Sequence, residues 1–200
     1  MAWKTERWME EVFPGKENIY SDYRSLPTRE LVVVSASVLD IALAELLSKR
    51  LIQNDKEIER FLGLNGDGRA PAASFGARIQ LGYLIGILSK LDADILRTIK
   101  AMRNLFAHTV KVDFLSPPVF KLSKRLYTLW SELNSDLIKT GKTTATKKQM
   151  EEVRVYLDST PEAGEGLLLA IFATYQAYFH LMHSEITSIK NYPLLEKNIK

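Results

Sequence analysis

Apolar residues recur at intervals of three and four along almost the whole chain, and this spacing constrains the fold more than any other feature. Such spacing places the apolar residues on one face of an α-helix. No stretch shows the alternation of apolar and polar residues that is typical of a half-buried strand. We therefore predict an all-α protein, a single helical bundle of six or seven helices. The stripe of the first long helix is Val32, Ala36, Leu39, Leu43 and Leu47.

Proline, glycine and small polar residues separate the predicted helices. We expect an N-terminal arm over residues 1–27, with a short helix that stops at Pro14-Gly15. The bundle is expected over residues 28–190 and a C-terminal tail over 191–200. Expected N-caps are Thr28, Ser74 and Asp92. The predicted helices of the bundle cover residues 28–51, 55–62, 74–88, 92–108, 118–138, 147–157 and 161–189.

Composition excludes several classes of protein. The chain has no cysteine, so it has neither disulfides nor a thiol nucleophile. Its first residues are charged and lack the apolar segment of a signal peptide, and the longest unbroken apolar runs, 31–34 and 167–172, are too short to cross a bilayer. We expect a cytoplasmic protein with no membrane partner.

The net charge of +3 is only mildly basic. Lysines and arginines gather in two places, around residues 121–125 and 139–148, and ordinary solvated surface explains them better than a nucleic-acid footprint. Binding to DNA is therefore predicted to be weak, mainly electrostatic and strongly dependent on salt.

Three polar residues near a predicted helix end form the most informative local pattern. Asn104 and His108 are four residues apart, so they share a helix face, and Arg103 is next to Asn104. The imidazole can move the proton of an RNA 2′-hydroxyl, and the guanidinium can stabilise charge on a phosphate. By spacing alone, a structural role is favoured: the pair ties loops to the bundle, and the histidine caps carbonyl groups.

Other polar residues on the helices suggest structure more than chemistry. Arg78 lies on an otherwise apolar helix, so we expect it to have a polar partner, either Asp40 or Glu45. His180 and His183 are three apart, but the aromatic residues around them favour packing over a zinc site, which needs three or four ligands. We predict no metal site and no cofactor.

Two stretches carry a resemblance to a known family. Residues 61–88 combine a glycine-rich loop with the helix Ser74-Phe75-Gly76-Ala77-Arg78-Ile79, and residues 99–108 place Arg103 five positions before His108. Together they resemble the mannitol operon repressor family, with a looser match over residues 28–190. The resemblance implies an all-α regulator of transcription, and a homodimer.

The run Arg-Asn-x-x-x-His separately resembles the signature of HEPN domains, which include RNA-cleaving toxins and non-catalytic relatives. That resemblance implies that Arg103 and His108 are a catalytic pair, with Asn104 beside them. No helix-turn-helix pattern is present for direct reading of DNA.

A regulatory binding protein, acting on a protein partner or through weak contact with nucleic acid, is the favoured function. A metal-independent endoribonuclease is the first alternative and a non-catalytic interaction module the second. The balance leans away from an enzyme, because the repressor-like stretch is much longer than the six-residue HEPN-like run.

Overall fold

The computed structural model describes residues 25–139 and 160–186, and every regular element in these two ranges is an α-helix. The prediction of an all-α helical bundle is confirmed. The expected N-terminal helix and the expected helix over 147–157 lie outside the described residues. The six described helices are α1 (Thr28–Arg50), α2 (Asp55–Leu62), α3 (Phe75–Leu84), α4 (Lys90–His108), α5 (Pro117–Lys139) and α6 (Pro161–Glu185).

Helix α1 is the central element of the bundle. It packs against α6, α4 and α3, and more lightly against α2, while α4 also packs against α5. An 18-residue window of α1 has a mean hydropathy of 2.0, which is apolar enough to cross a membrane, but 67% of that window is buried inside the bundle. Its apolar character is therefore explained by contact with neighbouring helices on most of its sides.

Two helices begin differently from the sequence prediction. Pro27 is the N-cap of α1, and Thr28 is already helical; its hydroxyl donates to the carboxylate of Glu165 in α6. Ser89, not Asp92, is the N-cap of α4, and Asp92 completes a capping box as the third helical residue. Asp92 also accepts a hydrogen bond from the Tyr175 hydroxyl at 2.9 Å, so the start of α4 is tied to α6.

Helix α3 ends at Leu84, earlier than the predicted residue 88. Gly86 has a φ of +75°, a left-handed conformation that costs glycine little, and the chain turns there. The amides of Ile87 and Leu88 both donate to the carbonyl of Gly82. Gly82 therefore lies within the helix and Gly86 beyond its end.

Candidate functional site

Arg103, Asn104 and His108 all lie in the last two turns of α4. Arg103 and His108 are exposed and Asn104 is half-buried. The Arg103 guanidinium donates to the Asn104 side-chain oxygen at 3.3 Å, which is a long hydrogen bond. All three side chains therefore reach the surface, and Asn104 orients the arginine.

Arg103 and His108 point to different sides of α4. Five residues of α-helix correspond to about 140° around the axis and about 7.5 Å along it. Arg103 lines a pocket whose described walls include neither Asn104 nor His108. The described pocket therefore contains Arg103 without the other two residues of the motif.

The C-terminal end of α4 is capped by Arg29, in the first turn of α1. Its guanidinium donates to the carbonyl oxygens of Thr109 and Val110, at 2.7 and 2.8 Å, and also to that of Phe106. A cation here is favourable because the helix end carries partial negative charge. The expectation that His108 caps these carbonyls is wrong: in the described part of the chain its side chain makes no hydrogen bond.

A pocket of about 290 Å³ lies where α1, the loop before α3, and α4 meet. Helix α1 contributes the small side chains of Ala36 and Ser37. Because these side chains do not fill the space between α1 and its neighbours, a recess remains. Lys100 and Arg103 are three residues apart on one face of α4 and enter it together. The lining residues are Ala36, Ser37, Asp40, Ala73, Ser74, Phe75, Lys100 and Arg103.

The wall of the pocket is held by a buried arginine. Arg78 donates to Asp40 at 2.7 Å, to the carbonyl of Leu62 at 2.8 Å and to that of Ala72 at 3.0 Å. The polar partner expected for Arg78 is thus Asp40, together with two carbonyls. The arginine joins α1, the end of α2 and the start of α3, which are the elements around the pocket.

Asp40 is affected by burial and by its two cationic neighbours. Burial raises the pKa of its carboxyl, and this effect outweighs the lowering by the ion pair and hydrogen bond with Arg78 and by the charge of Arg103. The charge that Asp40 contributes to the pocket is already matched by Arg78. The positive charge of Lys100 and Arg103 is therefore in excess there.

Lys100 lies at an unusual position for a cation. Its ammonium group occupies the space that a Cβ atom on Gly76 would take, in the first turn of α3. No carboxylate in the described ranges pairs with it. The sequence does not distinguish Lys100 or Ser37 from ordinary surface residues, because their place in a pocket depends on the packing of α4 against α1 and α3.

Among the described residues, no group of three or more histidine and carboxylate side chains is arranged to hold a metal ion. His183 lies in the last turn of α6, away from the pocket lining.

Comparison with known proteins found no relative. No family model matches the chain, and no curated protein or solved structure is significantly similar to it.

Proposed function

We propose that this protein is a cytoplasmic regulatory binding protein that responds to a small ligand held between α1, α3 and α4. This is the type of function that the resemblance to the mannitol operon repressor family implies. The observation that carries the proposal is the pocket lined by Lys100 and Arg103, with its unbalanced positive charge. Its volume of about 290 Å³ is just below the usual range for ligand pockets, roughly 300–1,000 Å³.

The position of the pocket fits a regulatory role. Its walls come from three helices and from the loop that precedes α3, so a ligand bridging them favours one arrangement of those elements over others. A binding partner that recognises the same arrangement is then coupled to the ligand. Such a partner is either a protein or a nucleic acid. Binding to a nucleic acid would be weak, because the net charge is only +3.

Thermal unfolding with a panel of small metabolites tests this function. A ligand at a hundred times its dissociation constant stabilises the folded state by about 2.7 kcal/mol. We expect at least one metabolite to raise the melting temperature of the wild type and to have no effect on Ser37→Phe, which fills the pocket from an exposed position on α1.

The matched control is Thr128→Phe, on the exposed side of α5, which should respond like the wild type. If no metabolite raises the melting temperature, or if Ser37→Phe responds as the wild type does, the ligand-responsive function is wrong. The alternative of a purely structural interaction module would then be preferred.

Cleavage of RNA is a second candidate, because Arg103 and His108 both reach solvent. Since they point to different sides of α4, this function places Arg103 of one copy and His108 of another in a shared cleft. The imidazole would take the proton of an RNA 2′-hydroxyl, and the 2′-oxygen would attack the adjacent phosphorus while the bond from phosphorus to the 5′-oxygen breaks. The imidazolium would return the proton to the departing 5′-oxygen, leaving a 2′,3′-cyclic phosphate, and the guanidinium would stabilise the charge on the phosphate.

Incubation of the pure protein with mixed RNA tests the second candidate. Under this function, His108→Ala and Arg103→Lys both lose cleavage, since lysine keeps the charge but not the two-pronged donor geometry. General acid–base catalysis contributes roughly a hundred- to ten-thousand-fold. RNA left intact by the wild type excludes the endoribonuclease.

A further inference from the structure

We propose that the pocket binds a small metabolite through a phosphate monoester group, held between Lys100, Arg103 and the first turn of α3. This inference rests on the proposed ligand-responsive function and names the chemical class of the ligand. It is carried by the placement of two cations in one small recess.

The charges around the recess do not balance without a ligand. Asp40 is the acidic residue of the lining, and Arg78 already donates to it at 2.7 Å. Lys100 and Arg103 add two positive charges to the same recess. Like charges that line the same recess repel each other and disfavour the folded state. A phosphate monoester, which carries about −1.5 to −2 charges near neutral pH, matches the excess.

The start of α3 adds to the positive potential. Ser74 caps this ten-residue helix and accepts from the amide of Ala77. The amides of Phe75 and Gly76 belong to the first turn and have no carbonyl partner within the helix. A helix N-terminus carries a partial positive charge, and yet the Lys100 ammonium lies directly against Gly76. Placing a cation at this end is unfavourable unless an anion is bound beside it.

The side chains that line the pocket include the kinds of hydrogen-bond donor that bind phosphate in proteins. The Arg103 guanidinium has five N–H donors in a planar fork, and its one hydrogen bond in the described residues is the 3.3 Å contact with the neutral Asn104. Lys100 supplies a compact charge, and Ser74 places a hydroxyl in the lining. Arginine forks and lysine charges are the usual partners of phosphate oxygens.

The size of the recess indicates a small molecule instead of a polymer. About 290 Å³ accommodates a phosphate with a few carbon atoms attached. A nucleic-acid strand would need a positive groove that extends along several phosphates, and the overall charge of +3 does not suggest one. We therefore expect selectivity for a free phosphate ester over an oligonucleotide.

Gly76 provides a test that leaves every charge in place. An alanine there would displace the Lys100 ammonium from its position, while the flexible end of the lysine can move at little cost. Alanine also has a higher helix propensity than glycine. We expect Gly76→Ala to keep or raise the melting temperature and to weaken binding of a phosphate ester several-fold.

Isothermal titration calorimetry at constant ionic strength is the measurement, with glucose 6-phosphate, glucose, succinate and a short single-stranded RNA as probes. Glucose 6-phosphate should bind, and Lys100→Met and Arg103→Gln should each weaken it about tenfold or more, as expected for a charged hydrogen bond. Lys90→Met removes a lysine from the exposed start of α4, where the side chain is 77% exposed, and should leave the affinity unchanged.

Each other outcome overturns the inference in a distinguishable way. Equal binding of glucose and glucose 6-phosphate excludes a phosphate-specific site but leaves the ligand-responsive function intact. Tighter binding of succinate reassigns the pocket to carboxylates. Binding of RNA alone supports the endoribonuclease instead. If no probe binds, the phosphate inference fails, and the proposed function then depends on the metabolite panel alone.

Discussion

Arg78 shows how a single buried charge organises this bundle. Its side chain is only 9% exposed, and its hydrogen bonds run to one carboxylate and two carbonyl groups on different elements. A buried charge without partners is very costly, so the three elements must stay in register to satisfy it. The pocket next to this network takes its rigidity from the same bonds.

Replacement of Arg78 by methionine should be strongly destabilising. Methionine fills much of the volume but leaves Asp40 and the carbonyls of Leu62 and Ala72 without a donor. Removing one partner of a buried ion pair typically costs about 3–5 kcal/mol. Urea unfolding measures the change, with the exposed Arg69→Met as a control expected within about 0.5 kcal/mol of the wild type. A loss below 1 kcal/mol for Arg78→Met would show that the network is not structural.

The raised pKa of Asp40 predicts a specific pH dependence of stability. Because the folded state holds this proton at a higher pH than the unfolded state does, the stability that the group contributes is fully present below the unfolded pKa of about 3.9. It decreases as the pH rises through the folded pKa. The unfolding free energy of the wild type minus that of Asp40→Asn should therefore fall as the pH rises from 4. A difference that increases with pH over this range would contradict the assignment.

Among individual residues, the sequence indicated the kind of partner that Arg78 has but not the residue that caps α4. An acidic partner in α1 was predictable for Arg78, because an arginine on an apolar helix must be paired; the sequence left Asp40 and Glu45 open, and the structure shows Asp40. Arg29 as the cap of α4 was not predictable, since 77 positions separate Arg29 from Phe106 and nothing in the sequence joins them. Lys100 looked like an ordinary surface residue for the same reason.

At the scale of the elements, helix–loop contacts depend on glycines at specific positions. Gly164 in α6 lies directly against the ring of Phe114, in the loop between α4 and α5. A methyl group at Gly164 would overlap with the Phe114 side chain: ring atom Cδ1 is nearest, and Cγ and Cβ are 2.6 and 2.9 Å from the position of the added carbon. Phe114 also packs against Phe106 of α4, with ring centroids 5.4 Å apart. The glycine therefore allows α6 to pack closely against the loop that follows α4.

Two alanine substitutions two residues apart in α6 should have opposite effects. Gly164→Ala forces Phe114 out of position and should cost about 1–3 kcal/mol, as overpacking does. Gly166→Ala meets no atom within 4 Å and should stabilise the helix by up to about 1 kcal/mol. Thermal unfolding of both variants compares them directly. If Gly164→Ala proved as stable as Gly166→Ala, the packing of Phe114 on α6 would be wrong.

The helix assignments were predictable where the local chemistry is strong. Helix α2 and the cap Ser74 follow from residues within a few positions of each other. The end of α3 was predicted four residues too late, because the apolar spacing continues to Leu88 while the left-handed φ of +75° at Gly86 turns the chain. The start of α4 was shifted because Asp92 and Ser89 are both good capping residues, and only the capping box separates their roles.

On the scale of the whole molecule, the resemblance to regulators predicts a homodimer. The loop that follows α4 presents Val110, 89% exposed, and Leu115, 46% exposed, next to His108. Light scattering at high micromolar concentration should give twice the monomer mass of 22.7 kDa. A monomer under these conditions would contradict the prediction and would also remove the shared cleft that RNA cleavage requires.

Helical periodicity determined the architecture, but it did not locate the pocket. An apolar stripe specifies which face of each helix is buried, and this is enough for an all-α bundle. The pocket arises where α1, α3 and α4 meet around small side chains. The apolar pattern of one helix does not predict the angles at which it crosses the other two. The motif Arg103-Asn104-x-x-x-His108 lies on α4, the helix that also contributes Lys100 to the pocket.

Amide chemical-shift mapping with glucose 6-phosphate tests the central claim most directly, namely that ligand recognition lies in the pocket between α1, α3 and α4. We predict that the largest shifts fall on the amides of Ser37, Ser74, Phe75, Gly76 and Arg103, and that Lys100→Met removes them. Shifts concentrated instead on His108, Val110 and the loop after α4 would contradict the account and would place the functional site at the end of that helix.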